Sequence, residues 1–177
     1  HSRFEEFTAH VVAEQLEKLS IGWFEEPLGP NNEPEELKRV LPRIAMPLAG
    51  GENGYGEAFF TSLLNDGVLD IIMPDLKYCG GAAEAVAAGH SAVELGKGFS
   101  IHSPSGPISL LSSAHATAAV DGSMFLEHAI DEVDWRSEVI QPAERVENGH
   151  LLINRTPGLG SQLNLDMLSS RGDHLII

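Results

Sequence analysis

Cysteine is nearly absent: Cys79 alone among 177 residues. No internal disulfide can form, and a reducing, cytoplasmic compartment is the expectation. Basic residues are scarce, with 11 Lys and Arg against 26 Asp and Glu and a formal charge of −15. A chain this poor in cations offers no clustered Lys and Arg for nucleic acid or an anionic membrane surface. No apolar run approaches the roughly 18 residues of a membrane span. Low-complexity segments and long linkers are missing. So is a glycine-rich phosphate cradle, because "GGENG" (residues 50–54) is too short and too acidic for one.

What is present is a 42% hydrophobic chain, long enough for one domain with a real core. The opening "HSRFEEFTAHVVAEQLEKL" reads as a charged amphipathic helix and not as a signal peptide. It lacks an initiator methionine and starts in mid-helix, so further residues are expected before His1.

Beyond it, short apolar runs of strand type alternate with helical patterns. The strand candidates are residues 21–26, 46–52, 69–75, 99–102 and 124–128. Between them, "EPEELKRVLPRI" puts Leu37, Val40, Leu41 and Ile44 on one face. "GEAFFTSLLNDG" and "GAAEAVAAGHSAVELGKG" end in glycine stops, and "GPISLLSSAHATAAV" opens with Pro107 in its first turn. Strands alternating with helices imply parallel βα units. Runs apolar on nearly every residue imply a sheet covered on both faces.

A polar residue closes each strand: Glu25, Glu52, Asp75, His102 and Glu127. Their separations of about 27, 23, 27 and 25 residues match one βα repeat. In a parallel sheet or barrel these ends share the face on which active sites are built. A complete (β/α)8 barrel needs eight repeats over roughly 250 residues. The expectation is therefore an α/β chain forming the last five βα units of such a barrel. Residues 1–148 would hold strands four to eight, and residues 149–177 a tail.

The individual residues leave alternatives open. Glu25 can be a metal ligand or a solvated strand end. Glu26, one residue on, should point the other way and support the site or meet a Lys or Arg. His102 is the acid or base candidate, with Asp75 to orient its ring. Glu127 can donate a hydrogen bond, meet substrate or pair with a cation. Lys77 reads as a salt-bridge partner in the mouth or as a surface lysine. The "GGAAEA" after it can hold an anion or pack a helix on a strand. Trp23 and Phe24 read as core. No nucleophile motif surrounds Ser103 and Ser105. His10, His90, His115, His128, His150 and His174 read as structural.

"WFEEP", "AGGEN", "MPDLKYCGG", "HSPSGP" and "FLEH", in this order and spacing, resemble the enolase superfamily in its mandelate racemase-like branch. "HSPSGPISLLSSAHATAA" with the later "NGHLLINRTPGLG" is most similar to its acid-sugar dehydratases, of the galactonate and gluconate type. The resemblance implies Mg²⁺ held by three carboxylates at the ends of the third, fourth and fifth strands. Glu25 and Glu52 match the second and third of these, and the first would precede His1. Asp75 and His102 match an Asp–His dyad, and Glu127 a carboxylic acid on the eighth strand. The tail would return to a separate capping domain. The implied reaction removes the proton α to the carboxylate of a small sugar acid and expels the β-hydroxyl. A racemase or epimerase on the same scaffold, or an inactive partial barrel, are the alternatives. Homo-oligomers are usual in such families, and an open sheet edge would favour one.

Overall fold

The computed structural model describes residues 3–28 and 34–171. Helix α1 (Glu6–Leu16) leads into strand β1 (Phe24–Glu25). There follow α2 (Pro34–Val40), β2 (Leu48–Gly50), α3 (Glu57–Asn65), β3 (Ile71–Ile72), α4 (Ala82–Glu94), β4 (Gly98–Phe99) and α5 (Pro107–Ala118). The four strands form one parallel sheet in the order β1-β2-β3-β4. The expected repeat is thus real, although each regular strand is shorter than its apolar run.

Burial along the strands alternates by face. Phe24, Leu48, Ile72 and Phe99 join Leu37, Phe60, Leu63 and the alanines Ala85, Ala88 and Ala92 in the main core. That core lies between sheet and helices. On the opposite face Ala49, Ile71 and Met73 pack with Trp23 and Met124. Both faces are covered, which is why the runs lack polar alternation.

The helix boundaries follow local rules. Gly67 (φ 65°) and Gly96 (φ 68°) stop α3 and α4 in the left-handed conformation. Gly80 and Gly81 both have strongly positive φ, 104° and 99°. The "GGAAEA" glycines are therefore there for backbone conformation at the entry to α4. Close packing falls instead on Gly89, inside that helix.

The expected fifth strand, residues 124–128, does not form a regular strand. Met124 N–H still donates to Phe99 O at 2.8 Å. Beyond that point side chains take over the bonds a ladder would use. Ser100 Oγ donates to Phe125 O at 2.7 Å, and Ser103 N–H donates to Glu127 Oε2 at 2.8 Å.

The tail adds elements with no signal in the sequence. Strands β5 (Ile140–Gln141) and β8 (Gln162–Leu163) pair antiparallel. So do β6 (Val146–Glu147) and β7 (His150–Leu151), and α6 (Leu165–Arg171) closes the described chain. Val139, Ile140 and Met167 pack on Leu111 of α5 in a small second core. Among the described residues, no helix is long and apolar enough to cross a membrane.

Cys79 is fully buried, and its Sγ–H points at Gly81 O, 3.5 Å away. Burial pushes its thiol pKa up, and the nearby Asp75 charge adds to the rise. Less thiolate then exists at neutral pH, and thiolate is the reactive form. Cys79 should not react fast with a maleimide or disulfide reagent in the native protein at neutral pH. Its label, read on the peptide that carries Cys79, should appear only on unfolding in urea. A fast native reaction would contradict the burial.

Candidate active site

The site begins where the parallel ladder ends. Backbone bonds carry the register a little past the regular strands, from Glu26 N–H to Ala49 O and from His102 N–H to Pro74 O. Successive strand ends are thereby locked side by side, and the side chains they carry meet.

His102 is the centre. Its Nδ1 lies 2.9 Å from Asp75 Oδ2, and its Nε2 lies 3.2 Å from Glu52 Oε2. A neutral ring can donate at only one nitrogen, whereas a ring carrying both protons donates to both carboxylates. Asp75 is fully buried. Its Oδ1 accepts the Lys77 backbone N–H at 2.8 Å, and its Oδ2 pairs with Lys77 Nζ at 3.3 Å. A carboxylate accepting several donors is fixed in orientation, and so is the ring bonded to it.

Glu52 is buried between charges. Burial pushes its carboxyl pKa up, and His102 pulls it back. The carboxylates of Glu26, Glu25 and Glu127 raise it further. The charges of Glu26, Glu25 and Glu127 thus all reach Glu52, which itself meets His102. Of the five predicted strand-end residues, Asp75, His102 and Glu52 meet directly, Glu127 holds the amide that follows His102, and Glu25 acts on Glu52 through its charge.

Glu26 and Lys77 take one of the roles left open to them, and Glu127 takes a role outside those expected. Glu26 does not continue the strand: its φ is +39°, and the side chain, 1% exposed, turns so that Oε1 accepts the Gly51 N–H at 3.0 Å. It props the turn that carries Glu52. A non-glycine residue in that region is uncommon and stores strain, which is a feature of functional sites. Glu127 uses one oxygen to hold the Ser103 amide. Lys77 is a partner of the dyad rather than a plain surface lysine, and its Nζ also reaches Ser105 Oγ at 2.5 Å.

Trp23, read as core, donates Nε1–H to Glu25 Oε2 at 3.3 Å. Strand alternation puts residues two apart on one face, and that signal could have found it. His10 is a buried structural residue whose Nε2 meets Val40 O at 3.2 Å, tying α1 to α2. His90 lies in α4 and His115 in α5, while His128 lines a cavity against α5. His150 bonds its own turn at Asn148 O. His174 lies outside the described residues.

Among the described residues, no group of three or more His, Cys, Asp and Glu side chains is arranged to hold an ion. The donors present still suit a hard cation. Glu25 and Glu52 supply oxygen, and crowded carboxylates destabilise one another without positive charge nearby. Mg²⁺ commonly uses one or two carboxylates and keeps several waters.

Residues 1–167 match the family described as enolase C-terminal domain-like. D-xylonate dehydratase of Haloferax volcanii is 32% identical over 170 residues, covering 96% of this chain and 41% of that protein. Arabinonate dehydratase of Saccharolobus solfataricus is 31% identical over 157 residues, covering 89% and 41%. The crystal structure of a mandelate racemase/muconate lactonizing enzyme-like protein from Rubrobacter xylanophilus superimposes with a TM-score of 0.90 at 27% identity. It matches 98% of this chain and 44% of its own length. The chain thus spans less than half the length of these relatives.

Proposed function

The chain belongs to the enolase C-terminal domain-like family, and from that premise we propose that its protein is a Mg²⁺-dependent acid-sugar dehydratase. The observation that carries this reading is the buried Asp75–His102–Glu52 array. It couples an oriented proton carrier to a carboxylate cluster suited to a cation. The dehydratase names of the relatives supply the substrate class, a small sugar acid.

The chemistry follows from what the residues can hold. Glu25 and Glu52 would hold Mg²⁺, which stabilises negative charge developing on the substrate carboxylate as the α-proton leaves. His102 moves a proton at Nε2, the nitrogen that faces Glu52, while Asp75 keeps Nδ1 engaged. With its proton in place, His102 gives it to the departing β-hydroxyl, which leaves as water, and a base outside this chain takes the α-proton. Without it, His102 takes the α-proton at the same nitrogen and then returns it to the departing β-hydroxyl. The enol that remains tautomerises to a 2-keto-3-deoxy acid. Glu127 fixes the loop after His102 through the Ser103 amide.

The test is a panel of sugar acids incubated with the full-length protein and Mg²⁺, scored for 2-keto acid. Product should accumulate with at least one acid, stop on chelation and return with added Mg²⁺. Absence of water loss from every acid would reject the reading. Exchange of the α-hydrogen with solvent deuterium, without elimination, would move it to a racemase or epimerase.

A further inference from the structure

The loop that follows His102 is held by an arrangement that neither the motif pattern nor the reaction requires. Lys77 Nζ sits between two oxygens, 3.3 Å from Asp75 Oδ2 and 2.5 Å from Ser105 Oγ, and 5.0 Å from the centre of the Tyr78 ring. The ammonium therefore staples the dyad carboxylate to a loop 28 residues further along the chain. Ser105 is fastened from its other side. Arg136 Nη1–H donates to Ser105 O at 2.9 Å. Arg136 is itself clamped by Glu144 Oε1 at 2.6 Å and Glu132 Oε2 at 2.8 Å, with only 12% of its side chain exposed. Two acids, one guanidinium, one serine and one ammonium form a continuous chain that ends on Asp75.

A guanidinium gripping two carboxylates and a carbonyl is a rigid point, because its planar donors fix direction as well as distance. A lysine alone is a flexible point charge. Here its freedom is removed by having two acceptors at once. The structure assigns Lys77 the role of a positioning residue for the Asp75–His102 pair, with Arg136 as the anchor that holds Ser105, and hence the ammonium, in place. Lys77 keeps the Asp75 carboxylate turned toward Nδ1, and the stapled loop keeps the ring between Asp75 and Glu52. Neither residue has to touch substrate. Carboxylate partners that orient an imidazole are a general device, and the group that orients the carboxylate extends it by one shell.

The experiment compares Lys77→Met, Lys77→Arg, Ser105→Ala and Arg136→Gln in the full-length protein by two independent readouts. The first is the proton NMR signal of the His102 Nδ1–H, assigned by its loss in His102→Gln. It should shift or broaden in Lys77→Met, Ser105→Ala and Arg136→Gln and stay in place in Lys77→Arg, with backbone spectra otherwise native. The second rests on the dehydratase reading: kcat for keto-acid release should fall about tenfold in Lys77→Met with KM nearly unchanged, a smaller loss in Arg136→Gln, and recovery in Lys77→Arg. Ser105→Ala removes only a hydroxyl, so it keeps the test sharp if Lys77→Met fails to fold. An unmoved Nδ1–H signal in Lys77→Met or Ser105→Ala overturns the positioning role, and an unmoved one in Arg136→Gln overturns the anchor. A wild-type protein without dehydratase activity removes the second readout and leaves the first standing.

Discussion

On the proposed dehydratase activity, Asp75→Asn should remove about three orders of magnitude of turnover or more while the protein still unfolds in one cooperative transition. The reason lies in the donors that converge on this side chain. Oδ1 accepts a backbone N–H, and Oδ2 faces both His102 Nδ1 and Lys77 Nζ. A carboxylate answers all three. An amide has one oxygen and one NH₂, so it can satisfy one side only. If the oxygen stays with the Lys77 backbone N–H, the NH₂ turns to His102 and forces the ring to accept at Nδ1. The proton then sits on Nε2, and His102 can no longer take an α-proton there. If the amide flips, Lys77 N–H is left facing a donor in a part-buried place, which costs about 0.5–1.5 kcal/mol. The first outcome fixes the wrong tautomer, and the second removes the negative charge that steadies a protonated ring; both weaken the dyad and leave the core of Phe60, Ile72 and Phe99 intact. Rates of keto-acid release, read beside thermal melting, separate the two effects. A variant that melts like the parent and keeps a tenth of its rate would show that Asp75 does not set the tautomer.

The same convergence explains what the sequence could and could not reveal. Asp75, His102, Glu52 and Glu25 were legible because a parallel repeat places residues at equivalent strand ends on one face, and Glu127 because its spacing continues the repeat although no regular strand carries it. Their types, four carboxylates and one imidazole, then limit the chemistry. Helices were legible because their apolar faces have a period and their glycine stops a conformation. Lys77 was visible as a residue two beyond Asp75, but its partner Ser105 was not, and nothing in the spacing pointed to Arg136. Arg136 lies 31 residues from the Ser105 carbonyl it holds, in a segment without periodicity. Sequence pattern reports faces and repeats, not which cation reaches which carbonyl. The fifth strand misled for a related reason. Its apolar run is strand-like, yet Ser100 and Glu127 side chains take the bonds a ladder would use. The tail ladders are two residues long, too short for any period to show.

Gly89→Ala should destabilise the protein by about 1–2 kcal/mol, although alanine in a helix interior normally gains about 1 kcal/mol over glycine. A Cβ at this position of α4 would lie 2.9 Å from Phe99 Cε1 and 2.9 Å from Val120 Cγ2. Phe99 is fully buried and Val120 2% exposed, so neither is the free end of a flexible side chain. The helix must move outward or the ring must leave its rotamer. That contact is also how α4 comes close enough to cover β4, whose continuation carries His102. Phe99→Ala removes one of the two obstacles and leaves a cavity, at about 3–5 kcal/mol. In that background Gly89→Ala should cost less than in the parent, because the methyl group enters vacated space and Val120 has room to yield. Denaturant midpoints of the parent, the two single variants and the double variant give the coupling, expected near 1–2 kcal/mol with the double better than the sum. Additive effects would mean that the helix and the strand do not meet at Gly89.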